Sequence, residues 1–215
     1  MPFDQRLDLV IDDCYTRKNN DRAKRLTRYA KLRYPNADIH SIYYDGRELD
    51  KNQILLLSTG SFIDAPRNIV INGFTGTGKT YLACALGKEA CRHLHRSRYI
   101  RMPDLLEMFN LAEQTGRSIS STVTKLANYH VLIIDEWLLT PLNDDEAKIV
   151  FEVIHKRRKK SSTIFCSQFL DEGWYERIGS DDNPLADSIM DRIKYDAYKI
   201  KIQALDPDHD RSMRE

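Results

Sequence analysis

The chain has 215 residues, 41% of them hydrophobic and 30% charged, and its formal net charge is only +1. This length and composition predict one sizeable globular domain plus an appendage, with a well-buried core. The small net charge excludes a uniformly basic nucleic-acid binder, so any contact with nucleic acid has to come from local patches.

The apolar runs and the cysteines indicate the compartment. Runs such as 54–57 and 131–134 are too short to cross a membrane, and the N-terminus lacks the charged-then-apolar order of a signal peptide. The four cysteines show neither a C-x-x-C pair nor zinc-ligand spacing, which indicates buried, reduced thiols. We therefore expect a reducing, cytoplasmic location.

The first 66 residues are predicted to form helices and a connector. Apolar residues at helical spacing in 1–34 predict two helices, broken near Asn19-Asn20 and closed by Pro35. Lys and Arg outnumber Asp in this stretch, which fits either a solvated basic face or a surface that contacts DNA or a partner. We expect 1–35 to be a partial N-terminal helical segment, and 36–66 a connector with a short helix around 49–57.

From residue 67 onward the pattern alternates between strands and helices. The predicted strands are 68–72, 97–102, 131–134, 163–167 and 197–202, and the predicted helices are 79–94, 103–115, 119–128 and 144–160. Alternating units of this length predict a three-layer α/β/α domain over 67–215, with a mostly parallel five-stranded sheet.

Residues 73–80 read Gly-Phe-Thr-Gly-Thr-Gly-Lys-Thr, a complete G-x-x-x-x-G-K-[ST] phosphate-binding loop, or Walker A motif. Its glycines permit a backbone with inward-pointing N–H groups, and the following helix adds partial positive charge. Lys79 can reach the β- and γ-phosphates and the Thr80 hydroxyl can bind Mg²⁺, which predicts ATP and Mg²⁺ as cofactors. The residues expected to bind nucleotide are Gly73, Phe74, Thr75, Gly76, Thr77, Gly78, Lys79, Thr80 and Tyr81.

A second motif follows the apolar run 131–134, which reads as a strand buried on both faces. Asp135 and Glu136 come at its carboxyl end, where ligands bind in open α/β sheets. We expect Asp135 to hold Mg²⁺ through water, the Walker B role, and Glu136 to act as general base toward the attacking water.

A third candidate lies at the end of the run 163–167. In ATPases with an extra strand between the loop strand and the Walker B strand, a polar side chain at the end of that strand lies between the γ-phosphate and the water. Gln168 is the first candidate for this sensor, and Ser167 the second.

Together these stretches resemble the IstB-like branch of the AAA+ ATPases, which are transposition helper proteins of bacterial insertion sequences and relatives of the DnaC-type helicase loaders. The likeness covers roughly 5–203. It includes the basic stretch 25–35, the loop and helix at 68–91, the Walker B segment 135–142, the sensor strand 162–168, and the closing stretches 174–179 and 185–192.

The resemblance implies further roles. Arg192 matches the family's arginine finger, which would contact the γ-phosphate held by a neighbouring subunit and stabilise the developing charge. Arg214 matches the sensor-2 arginine. The resemblance also implies self-association into a ring or helical oligomer, binding to duplex DNA, and a transposase from the same element as partner.

The chain departs from the family pattern at three places. Asp210 stands where the family's C-terminal motif has glycine, and extra residues precede it. Glu136 and Leu138 stand in a Walker B segment that often reads Asp-Asp-Trp-Gly in the family. The resemblance also begins partway into the family's N-terminal helical domain, which predicts either a truncated chain or a short variant.

Four basic residues are candidate DNA contacts. Arg117 and Lys125 lie in the helical element between the second strand and the Walker B strand, and Arg157 and Lys159 lie in the basic run 155–160. The alternatives for these residues are a solvated face, a helix-capping role for the run, or, for Arg157, a position facing the neighbouring subunit's nucleotide.

Three other functions share the same loop. A replicative helicase loader of the DnaC type would differ in its N-terminal partner domain. A small-molecule kinase would need an acceptor pocket and a phosphate-gripping lid, and the sequence indicates neither. A nucleotide switch would bind ATP with little turnover.

Overall fold

The computed structural model describes residues 3–179 and 184–203. Its strands are β1 (Ile69–Asn72), β2 (Ser97–Arg101), β3 (Val131–Asp135), β4 (Ser162–Ser167) and β5 (Tyr198–Lys201). The α-helices within these residues are α1 (Phe3–Ala30), α2 (Lys51–Ser58), α3 (Ser61–Asp64), α4 (Lys79–Arg92), α5 (Met102–Gln114), α6 (Ile119–Ala127), α7 (Asp144–Arg157) and α8 (Pro184–Lys194). No helix in this part of the chain is both long and apolar enough to span a membrane.

The five strands form one sheet in the order β2-β3-β4-β1-β5, and every neighbouring pair is parallel. The predicted fold class is thereby confirmed. β4 lies between β1, which leads into the phosphate loop, and β3, which ends in the two carboxylates. Because parallel strands have their carboxyl ends at one edge, these three strand ends meet there.

Helices cover both faces of the sheet and create two hydrophobic cores. One core joins α4, the end of α1 and the connector to strand residues such as Ile71 and Ile133. The other joins α5, α6, α7 and α8 to the opposite face, which includes Ile134 and Phe165. Since consecutive strand residues face different cores, the central strands are apolar throughout.

The N-terminal segment differs from its prediction. A single helix, α1, of 28 residues replaces the two predicted ones, and Asn19 and Asn20 lie inside it. Asparagine costs a helix interior at most about 0.7 kcal/mol, so an Asn pair does not break an otherwise favourable helix. The helix ends at Ala30, earlier than predicted, and Lys31 then turns the chain with a left-handed φ of 51°.

The helix α7 illustrates how local sequence positions an element of the second core. The side chain of Asn143 accepts a hydrogen bond from the Glu146 N–H, and the Glu146 carboxylate accepts one from the Asn143 N–H. This capping box fixes where the helix begins. Acidic residues in its first turn and basic residues in its last turn oppose the helix dipole.

Candidate nucleotide-binding site

The phosphate loop follows β1 directly and needs glycine for two different reasons. Gly76 and Gly78 have φ angles of 89° and 93°, in the left-handed region that favours glycine. At Gly73 the constraint is close approach, because a Cβ there would lie 2.5 Å from the Ile202 carbonyl oxygen and 2.8 Å from Thr77 Oγ1. The loop can adopt this curl only with glycine at these positions.

Lys79 and Arg47 fix the loop from two sides. The Lys79 ammonium donates hydrogen bonds to the carbonyl oxygens of Gly73 (2.6 Å) and Phe74 (2.7 Å). Arg47, from the connector, is fully buried and donates from Nη1 to the Thr77 carbonyl oxygen at 2.7 Å. The connector therefore braces the loop, a role that no motif in the sequence indicates.

Thr80 and Asp135, the predicted Mg²⁺ ligands, are in contact. The Thr80 hydroxyl donates to Asp135 Oδ2 at 2.9 Å, and the Tyr99 hydroxyl on β2 donates to the same oxygen at 2.7 Å. The Glu136 N–H donates to Asp135 Oδ1 at 2.9 Å. Asp135 is only 3% exposed, so these donors satisfy a carboxylate that water hardly reaches. Burial and the Asp135 carboxylate raise the pKa of Tyr99, which keeps its hydroxyl a protonated donor.

Glu136 lies next to two guanidinium groups. Its Oε2 accepts a hydrogen bond from Arg101 Nη2 at 2.8 Å, and its Oε1 lies 3.7 Å from Arg33 Nη1. The hydrogen bond to Glu136 raises the pKa of Arg101, which is in register with Asp135 on the neighbouring strand. Glu136 also has a φ of 56°, and backbone conformations of this kind are concentrated at functional sites.

Leu138 occupies a turn position at which the IstB-like pattern described above often has glycine. Its φ is 54°, a conformation that costs a non-glycine residue roughly 1–2 kcal/mol. The Leu138 side chain is fully buried, and burial of a leucine contributes about 1.5–3 kcal/mol. The packing energy therefore offsets the backbone strain, and the departure leaves the turn intact.

Gln168 is exposed directly after β4, beside the phosphate loop. Ser167 is in register with Asn72, and the Gly73 N–H donates to the Ser167 carbonyl oxygen at 3.3 Å. Gln168 therefore lies at the sheet edge where a sensor is expected. Ser167 is buried and its hydroxyl donates to the Trp137 carbonyl oxygen at 3.1 Å. This arrangement favours Gln168 over Ser167 as the sensor candidate.

Arg192 lies on α8 at the opposite end of β1 from its own phosphate loop. Its carbonyl oxygen accepts a hydrogen bond from Asn68 Nδ2 at 3.1 Å, at the amino end of that strand. Its guanidinium donates to the Ser188 carbonyl oxygen at 2.7 Å and lies 4.7 Å from the ring centroid of Phe151. The other predicted nucleotide contact from the C-terminal region, Arg214, lies outside the described residues.

The prediction that Arg157 contacts DNA is wrong, because this side chain is buried. Arg157 is 2% exposed, and its guanidinium donates to Thr163 Oγ1 and to the carbonyl oxygens of Leu126, Tyr129 and Ser162. Burial lowers its pKa to about 9, so the group stays charged at neutral pH. The same burial excludes a position facing a neighbour's nucleotide. The other three candidates, Arg117, Lys125 and Lys159, are exposed.

The donor set fits Mg²⁺ bound together with a nucleotide phosphate. Mg²⁺ takes oxygen ligands and in such sites uses one or two protein groups, with water and phosphate oxygens completing the set. A threonine hydroxyl and a carboxylate in contact, Thr80 and Asp135, supply those protein oxygens. The backbone N–H groups of the curl between Gly73 and Gly78 suit phosphate oxygens. A Cβ at Gly73 would disturb this curl, because it would lie 2.5 Å from the Ile202 carbonyl oxygen.

Four residues that contact the site were not predicted. Tyr99 and Arg101 lie on β2. The strand order places β2 beside β3, with the carboxyl ends of both strands at one edge of the sheet. Strand order is therefore the signal that could have identified these two residues. Arg33 and Arg47 precede the first strand. Arg33 lies within the basic stretch 25–35, but nothing there distinguishes it from its basic neighbours, and no motif marks Arg47.

The sheet order, the phosphate loop after β1 and the carboxylates after β3 define a P-loop nucleotide-binding protein of the AAA+ class. Solved structures share this fold. DnaI has a TM-score of 0.65 at 19% identity and covers 78% of this chain and 91% of its own. The DnaC helicase loader has a TM-score of 0.63 at 20% identity, with coverage of 79% and 98%. AMPPCP-bound DnaA from Aquifex aeolicus has a TM-score of 0.65 at 18% identity, with coverage of 80% and 51%.

The chain belongs to the family of IstB-like ATP binding proteins, which it matches over residues 1–212. The insertion sequence ATP-binding protein y4uH of Sinorhizobium fredii (strain NBRC 101917 / NGR234) is 35% identical over 196 residues, which cover 91% of this chain and 78% of the relative. The insertion sequence IS1162 ATP-binding protein of Pseudomonas fluorescens is 38% identical over 169 residues, with coverage of 78% and 73%. These matches confirm the family resemblance that the motifs indicate.

Proposed function

We propose that this protein hydrolyses ATP, assembles on duplex DNA as an oligomer, and assists the transposase of its insertion sequence in target selection and transposition. The observation that carries the proposal is the contact between Thr80 and Asp135, with Glu136 adjacent, at the sheet edge that bears the phosphate loop. The identities of 35% and 38% to insertion sequence proteins support the transposition role.

Each residue of the site has one proposed task. Lys79 binds the β- and γ-phosphates, while Thr80 and Asp135 bind Mg²⁺, Asp135 through water. The bound ion neutralises charge on the phosphate oxygens. Glu136 orients the attacking water and accepts its proton, and Gln168 hydrogen-bonds between that water and the γ-phosphate.

Arg192 is proposed to act on the nucleotide of a neighbouring subunit. Its position at the amino end of β1, away from its own loop, supports a role in trans. An arginine supplied in this way stabilises charge on the phosphoryl oxygens in the transition state. Hydrolysis then depends on assembly, since no single chain contains a complete site.

Duplex DNA is proposed to contact exposed basic residues on the assembled oligomer. Arg117, Lys125 and Lys159 remain the candidates for phosphate contacts, because their side chains are exposed. The oligomer would be a ring or a helical assembly, and ATP at the subunit interface would set the assembled state, with hydrolysis releasing it.

Phosphate release measured with and without duplex DNA tests the proposal. The wild-type protein is expected to hydrolyse ATP faster with DNA and to form oligomers with ATP. The Lys79→Ala variant is expected to lose hydrolysis and assembly on DNA, and Glu136→Gln to lose hydrolysis while keeping assembly. Absence of both ATP-dependent oligomers and DNA-stimulated hydrolysis in the wild type would refute the proposal. Wild-type turnover in Glu136→Gln would instead indicate a nucleotide switch.

A replicative helicase loader is the second candidate, because the DnaC helicase loader shares the fold. That likeness is at 20% identity and concerns the fold alone, whereas the insertion sequence relatives are 35% and 38% identical. Transposition is therefore the better supported function. Purification with a hexameric helicase, and not with a transposase, would reverse this order.

A further inference from the structure

The two guanidinium groups beside Glu136 come from different parts of the fold. Arg101 ends β2 and belongs to the sheet edge itself, with its Nη2 at 2.8 Å from Glu136 Oε2. Arg33 comes from the segment that follows α1, with its Nη1 at 3.7 Å from Glu136 Oε1. Each carboxylate oxygen therefore faces one cation, and a carboxylate engaged on both sides is less able to accept a proton from water.

Arg33 also lies near the second carboxylate of the site, Asp135. The nearby Tyr99 hydroxyl and Asp135 carboxylate raise the pKa of Arg33. Tyr99 in turn donates to Asp135 Oδ2 at 2.7 Å. One guanidinium group thus pairs with Glu136 and lies near the hydrogen bond between Tyr99 and Asp135.

The backbone on the N-terminal side of Arg33 is fixed to both α1 and α4. The last residue of α1, Ala30, is fully buried, and Lys31 turns the chain with its left-handed φ. Leu32 then packs against Gly87 of α4, where a Cβ would lie 3.2 Å from Leu32 Cδ2. Because the segment is anchored on both sides of the turn, a displacement of the end of α1 also displaces Arg33.

The remainder of α1 extends away from this anchor. The helix is continuous over 28 residues, and residues 3–18 are exposed. At 1.5 Å per residue, this exposed half is roughly 24 Å long. A partner that contacts the exposed half therefore acts on the segment beside Glu136 through one unbroken helix.

We propose that Arg33 is a positioning residue that restrains Glu136 and couples the position of α1 to ATP turnover. This inference rests on the proposed function, because it takes Glu136 to be the group that activates water. With α1 seated, both arginines engage Glu136 and turnover is low. When α1 shifts, Arg33 withdraws, Glu136 loses one of its two cations, and turnover rises.

Steady-state hydrolysis by Arg33→Gln tests the restraint. The ion pair is partly exposed, and pairs of this kind contribute little, so kcat without DNA is expected to rise about two- to fivefold with an unchanged KM for ATP. Arg33→Lys should fall between wild type and Arg33→Gln, because it keeps the charge without the planar group. Arg28→Gln removes a matched charge from an exposed position on α1 and should behave as wild type. An unchanged or lower kcat in Arg33→Gln would overturn the inference.

The coupling to α1 is tested with Leu32→Ala, which loosens the anchor without touching a carboxylate. It should raise kcat in the wild-type background and have no further effect in Arg33→Gln, because the two changes act on one restraint. A decrease of similar size in both backgrounds would show a merely structural role and would contradict the coupling.

Thermal unfolding keeps the two proposals separable. If the wild type does not hydrolyse ATP, the proposed function fails, yet the contact itself can still be measured in Arg33→Gln, Glu136→Gln and the double variant. The decrease in melting temperature of the double variant should be smaller than the sum of the decreases in the two single variants. Additive losses would show that Arg33 and Glu136 do not interact, whatever the activity.

Discussion

At the scale of single residues, Gly73 provides the most direct test of the loop geometry. Gly73→Ala would place a Cβ 2.5 Å from the Ile202 carbonyl oxygen, which is backbone and cannot rotate away. Overpacking of this kind costs roughly 1–3 kcal/mol, so we expect binding of a fluorescent ATP analogue to weaken about tenfold or more. In Gly173→Ala the nearest atom is 3.9 Å away, and this matched control should bind as wild type. Equal affinities in the two variants would contradict the geometry.

The cysteines give a second residue-scale prediction. Cys14 is exposed, whereas burial raises the pKa of Cys84 to about 11 and also raises the pKa of Cys91 and Cys166. A raised pKa leaves less thiolate at pH 8, and the thiolate is the reactive form. We expect Ellman's reagent to modify one thiol per chain rapidly, and none in Cys14→Ser until the protein unfolds. Rapid modification of Cys166 would show that the core opens near Asp135.

At the scale of elements, Arg157 joins the end of α7 to β4 and to the end of α6. Arg157→Ala would leave the carbonyl oxygens of Leu126, Tyr129 and Ser162 without this donor. Because hydrogen bonds to a charged donor contribute about 1.5–3 kcal/mol each, we expect the free energy of unfolding in urea to fall by about 3 kcal/mol or more. Lys159→Ala, at an exposed position two residues on, should change it by less than about 0.5 kcal/mol. Unchanged stability of Arg157→Ala with weaker DNA binding would restore its role as a DNA contact.

Elements with strong local signals could be predicted from the sequence. The phosphate loop, the strand before Asp135 and the alternation of strands and helices depend on patterns within a few residues of one another. The continuous α1 could not be predicted, because an Asn pair destabilises a helix only weakly. Whether the helix continues through the pair depends on the summed helix propensity of all its residues. The prediction that Arg157 contacts DNA was wrong for a related reason. A basic run at a helix end does not show which of its side chains turns inward toward the neighbouring strand.

The contacts of the site that were missed connect segments far apart in the sequence. Arg33 and Arg47 reach Glu136 and the Thr77 carbonyl oxygen from the region before the first strand. Their positions depend on how the end of α1 and the connector pack over α4, which periodicity and motifs do not describe. Local sequence therefore predicts the residues proposed for the chemistry, while the fold determines what surrounds them.

At the scale of the whole molecule, the proposed DNA contacts predict a change in salt dependence. Each phosphate neutralised by a basic side chain adds about 0.9 to the magnitude of the slope of log binding constant against log salt concentration. Arg117→Ala and Lys125→Ala should each reduce that slope by about one contact, with little change in stability, since both side chains are exposed. Arg98→Ala, a charge removal on β2, serves as a control. Slopes equal to wild type in both variants would exclude these residues as phosphate contacts.

The proposed function requires that one site be built from two subunits, and mixing two inactive variants measures this most directly. Arg192→Ala retains its own phosphate loop and Glu136, whereas Glu136→Gln retains Arg192 but has no base. In a head-to-tail oligomer of equal parts, about a quarter of the sites pair an intact loop and base with an intact arginine. We predict that each variant alone releases almost no phosphate and that the mixture recovers about a quarter of the wild-type rate. A mixture no more active than the sum of its parts would contradict the shared site.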